Sequence, residues 1–144
     1  MYETIKILHS YWAYLVLLIV FLASINALVK FFGKKDFIDN DLRISLFALI
    51  VTHIQLLLGL ILYFVSPLGL KGIQTSGMGD SFVRQMAVEH PFVGILGVVL
   101  ITIGFSKHKK KTTAHGKFKT LAIFYTIALV LILSRIPWSY WLGA

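Results

Sequence analysis

The chain of 144 residues contains no cysteine, which excludes a disulfide framework, a thiolate-bound iron–sulfur cluster and a CxxCH haem attachment. Acidic residues are scarce, six against fourteen Lys and Arg, and none lies in the middle of a long apolar run. A transporter built on intramembrane carboxylate relays therefore has no raw material. Proline occurs three times. Phosphate loops, GxSxG elbows, HExxH zinc motifs and paired carboxylates are also missing from the sequence. What remains is apolar: 58% of the residues are hydrophobic and the mean hydropathy is +0.83. These residues come in long blocks, as in chains that cross a membrane.

Four blocks have the required length of about 20 residues, at about 7–29, 44–65, 85–105 and 118–141. Each carries few charges away from its ends, so the expected fold is all-α, an integral membrane up-down bundle of four helices in a single domain over 1–144. The first block is too long for a cleaved signal peptide and is read as a span. The segment KFFGKKDFIDNDLR, residues 30–43, holds four basic residues, and KHKKKTTAHGKFK, residues 107–119, holds six. Both lie on one side of a four-span protein. The positive-inside rule makes that side cytoplasmic and puts both termini on the outer, periplasmic face of a bacterial inner membrane. Loop topology thus accounts for the net charge of +8 without nucleic acid. The connection after the second span, rich in glycine and holding Pro67, reads as an outer loop with a short interfacial helix from Ser81. The lipid bilayer is the first partner, and the run Lys107–Lys111 is either a topology signal or a contact to anionic headgroups.

Ionisable residues are costly inside a bilayer, which directs attention to three of the five histidines. His108 and His115 fall in the basic loop and are expected to be solvated. His9 lies a turn into the first span and His90 heads the third, so both sit at similar depth from the outer face. Alternate helices of an up-down bundle are diagonal partners, and two imidazoles meeting across the core suit the axial positions of one haem b. His53, near the middle of the second span, is the reserve ligand, a relay or an interhelical tie. In VEHPFVGILGVVLITIG, Gly94 and Gly97 leave either a slot for a macrocycle beside His90 or a surface for close helix packing. Ala13 plays the matching small residue after His9, and Gln55 shares the second span with Gly59. Pro91 biases His90 out of the α region, toward a helix start or kink, and Glu89 is a candidate hydrogen-bond partner for an imidazole. Arg135, two turns before the chain end, is either a propionate partner or an arginine reaching the headgroups.

LHS at His9, THIQLLLGLILYFVSPLG at His53, EHP at His90 and SRIPW at Arg135 together resemble a family of small bacterial four-helix membrane proteins labelled cytochrome b-like. The QLLLG segment is similar, more faintly, to one four-helix half of haem A synthase, where histidines on alternate helices hold a haem. That resemblance implies His9 and His90 as the paired histidines and aligns Gln55 and Gly59 with the Q-x-x-x-G helix. IKILH at residues 5–9 resembles the start of HemJ-type protoporphyrinogen oxidase. Three functions are therefore expected to compete. The first is a haem protein in electron transfer or in a larger membrane complex, with a redox partner or further copies of itself. The second is a porphyrinogen-oxidising enzyme, and the third a cofactor-free structural subunit.

Overall fold

A computed structural model describes residues 1–142. Its helices are α1 (Tyr2–Phe32), α2 (Asp39–Val65), α3 (Leu70–Ser76), α4 (Ser81–Arg84), α5 (His90–Lys109), α6 (Ala114–Ser134) and α7 (Trp138–Leu142). A π-turn, Gln85–Glu89, joins α4 to α5, and no strand occurs among the described residues. Four helical stretches are long and apolar enough to cross a membrane: Tyr2–Phe32, Asp39–Ser76, Ser81–Lys109 and Ala114–Ser134. α1 and α5 each pack against α2 and α6, so α1 and α5 are diagonal partners, as the up-down topology predicts. The bundle has a terminal end, where α1 begins and α6 finishes, and a basic end carrying the Lys-rich connections.

The core is assembled from small and β-branched residues at helical spacing. Val16, Val20, Ala23 and Ala27 form the inward stripe of α1, facing Ala48 and Val51 of α2. Phe118, Leu121, Tyr125 and Ala128 of α6 and Ile101 of α5 complete it. Small side chains let the helix backbones approach, and that contact replaces the hydrophobic drive that apolar surroundings would remove. The outward residues, among them Leu18, Phe21, Leu57 and Val130, are exposed and apolar, as a helix in hydrocarbon requires.

Polar ties reinforce this packing. Trp12 Nε1 donates to Val51 O at 2.8 Å, Ser24 and Thr126 hydroxyls meet at 2.6 Å, and Tyr125 Oη donates to Ser45 O at 2.8 Å. At the basic end the Asp41 carboxylate is only 1% exposed. Its Oδ1 accepts from Lys30 Nζ at 2.6 Å and Asn26 Nδ2 at 2.9 Å, and its Oδ2 accepts from Ile38 N–H at 2.9 Å. One side chain thereby caps the start of α2 and locks it to the end of α1.

Three expectations are corrected here. The fourth helix stops at Ser134 instead of running on to Trp141. Pro137 has no N–H to offer and biases its predecessor away from the helical region, so the chain breaks and restarts as α7. His90 does begin α5, as expected, but with helical angles, φ −63° and ψ −50°, in place of the non-helical backbone expected before a proline. The π-turn resolves that conflict: His90 N–H reaches back five residues to Gln85 O, and the wider winding makes room for the Pro91 ring. His108 is buried, not solvated. At 1% exposure its Nδ1 meets Phe105 O, its ring lies against Phe37, and its Nε2 has no partner. His115 is exposed, stacked on Phe31 with centroids 4.5 Å apart.

Removing the amine opposite Asp41 would strand a buried carboxylate. Lys30→Met is expected to cost about 2–3 kcal/mol in detergent-based denaturation. Lys34→Met, at an exposed position one turn on, should leave the midpoint unchanged.

Candidate functional site

The terminal half of the bundle is not filled. A cavity of about 590 Å³ opens there between α1, α2 and α5, with Val98, Ile132, Met86 and Tyr140 also among its lining residues. This is the size of a small-molecule or cofactor pocket. Its walls are overwhelmingly apolar, with the polar groups gathered at a few points. On α1 the stripe Lys6, His9, Ser10 and Ala13 faces the cavity at spacings of three and four, which one helical face demands. Thr52, Gln55 and Gly59 face it from α2, and His90 and Gly94 from α5.

The two imidazoles meet across the diagonal. His9 and His90 have ring centroids 6.2 Å apart and planes at 80°. Two imidazoles that would share one metal, each nitrogen ~2 Å from it, need ring centres on the order of 6 Å apart, and this pair is separated by such a distance.

The two rings are held differently. His90 Nδ1–H donates to Arg135 O at 3.2 Å, which leaves Nε2 with its lone pair free. This backbone carbonyl does what Glu89 was expected to do. Glu89 instead faces Arg84 at 3.3 Å and Arg135 at 3.9 Å. His9 has no such tether. Its Nδ1 is buried without a partner, and so is Gln55 Oε1, while Gln55 Nε2 donates to His9 O at 2.9 Å. Gly59 makes room for the His9 ring, since a Cβ there would lie 3.2 Å from His9 Cε1. Beside His90, a Cβ on Gly94 would meet nothing within 4 Å. Those two unpartnered atoms are packed away from open space, whereas the Gly94 side of α5 is bare.

Of the residues singled out in the sequence, His9, His90, Ala13, Gln55 and Gly94 line this one cavity. His53, Gly97 and Arg135 do not. His53 is exposed, its Nδ1 donating to Leu49 O at 2.7 Å and its Nε2 meeting Thr102 Oγ1 at 3.2 Å, so it ties α2 to α5. Gly97 is a packing glycine, for a Cβ there would come within 2.8 Å of Ile132 Cγ1. The exposed Arg135 guanidinium turns to Ser134 O at 3.0 Å and to Glu89. Lys6, Tyr2 and Tyr140 were not foreseen as lining residues. Lys6 was legible in principle, because it stands three residues before His9 and so on the same face.

A bare metal ion finds too few ligands here. Among the described residues no group of three or more His, Cys, Asp or Glu side chains is positioned to hold one.

The glycines separate by what surrounds them. Gly104→Ala would drive a methyl into Phe124 Cβ and should cost about 1–3 kcal/mol in thermal unfolding in detergent, whereas Gly94→Ala should be neutral. Neither a protein-family model, nor a curated protein, nor a solved structure matches this chain, so the reading of its site rests on its own residues.

Proposed function

We propose that this chain is a multi-pass protein of the bacterial inner membrane that holds one b-type haem between His9 and His90, near the face carrying both termini. It serves electron transfer, alone or as the haem-bearing subunit of a larger membrane complex. The observation that carries this reading is the pair of imidazoles facing each other across an apolar cavity at 6.2 Å. The orientation rests on the ten basic residues gathered at the opposite end, which the positive-inside rule assigns to the cytoplasm.

When bound, the haem supplies a one-electron couple. The residues of this chain decide how it is used. His90, its Nδ1–H held by Arg135 O, would bind the group through Nε2, and His9 would bind it from the diagonal helix. Held by two protein nitrogens, those of His9 and His90, the group would serve electron transfer in preference to oxygen chemistry. Val98, Ile132 and Leu56 give the pocket an apolar lining, and such a low-polarity lining is one of the levers that set a potential. Gly94 supplies the flat wall on the α5 side.

The test is optical. Protein expressed with ample haem should show a Soret band and, on reduction, a sharp α-band. His9→Ala and His90→Ala should each abolish the six-coordinate spectrum, and His53→Ala should leave it intact. A folded protein with no Soret band would sink the proposal, and loss of the spectrum in His53→Ala alone would overturn the ligand assignment.

A further inference from the structure

The cavity has a charged rim, and its sign is specific. Among the described lining residues Lys6 is the only Lys or Arg, and none is Asp or Glu. It stands one turn from His9 on the same face of α1, about 4.5 Å closer to the terminal end. Tyr2 and Tyr140 line the same rim, and Lys6 Nζ lies 5.7 Å from the Tyr2 ring centre. Its one ionic neighbour is Glu3 at 3.9 Å, with the Lys6 and Glu3 side chains 39% and 73% exposed. A pair so distant and so wet holds its members weakly, so Lys6 is available to a better anion.

From this asymmetry we infer that Lys6 is the recognition residue for an acidic group on the bound ligand. The pocket selects an amphipathic acid, with its apolar body against Ala13, Gly94 and Val98 and its carboxylate at the terminal rim. The inference rests on the haem reading for the identity of that acid: the porphyrin propionates point toward the terminal end and meet Lys6, with the Tyr2 and Tyr140 hydroxyls as neighbouring donors. Arg135, the arginine that its place in the sequence suggested, is not their partner, because it does not line the cavity and its guanidinium donates to Ser134 O at 3.0 Å.

Haem b and its dimethyl ester share an iron and a macrocycle and differ only in the two carboxylates. Full-length apoprotein in detergent micelles should be titrated with each and followed by the Soret band. Wild type is expected to bind haem b about five-fold more tightly than the ester, the scale of a partly exposed ion pair. Lys6→Gln should remove that preference by weakening haem b and leaving the ester unchanged. Lys6→Arg should restore it, and Arg135→Gln should keep it. A preference that survives in Lys6→Gln, that vanishes in Arg135→Gln, or that is missing from wild type overturns the inference. Wild-type protein that binds neither compound refutes the haem reading itself, a result distinct from all three.

Discussion

Helices that are apolar on every side gain little from hiding apolar surface against one another in apolar surroundings, so close packing and internal polar ties must hold them together. The bundle meets this constraint unevenly. Toward the basic end, small residues such as Ala23, Ala27 and Ala48 let the backbones close up, and Gly104 is filled by Phe124. Asp41, Tyr125 and Ser24 add hydrogen bonds between helices. Toward the terminal end the same kinds of residue are present without fillers, and space is left over. Gly97 and Gly94 lie one turn apart on α5, yet one is occupied by Ile132 and the other opens on emptiness. The cavity begins where the packing rule stops being obeyed.

Among the histidines, partners decide roles more than depth does. His53 has both nitrogens engaged, one with its own helix and one with Thr102, and so behaves as a strut between α2 and α5. His108 is sealed among aromatic rings at the basic end. Only His9 and His90 turn toward shared space, and they differ from each other. His90 is aimed by a backbone carbonyl and by a π-turn that absorbs the following proline. His9 is merely accommodated, by the gap at Gly59.

The pattern of apolar blocks carried the helix count, the up-down order and the diagonal pairing of His9 with His90, because span length and loop charge are properties of composition. Gln55, Ala13 and Gly94 were legible for a related reason: on a regular helix, spacing from a known residue assigns a face. The failures have a common cause in contacts between distant segments. Nothing in SRIPW distinguishes an arginine serving through its carbonyl from one serving through its guanidinium. Gly97 and Gly94 look alike until Ile132 is placed. His108 looks wet inside a lysine run, and only the folding of Phe37 over it makes it dry. The break before α7 was written in Pro137, but a single proline near a helix end is compatible with either a stop or a kink.

α1 and α2 form one antiparallel hairpin and α5 and α6 another, and each contributes a single histidine to the facing pair. α2 and α5 pack least closely of the four neighbouring pairs. Neither hairpin alone contains a site, however well it folds. During synthesis the N-terminal hairpin is finished first and must wait, with its lone His9, until the second is made and docks. A molecule gripping both imidazoles would then act as a rivet across the weakest joint, so that maturation of the bundle and capture of its ligand become the same event.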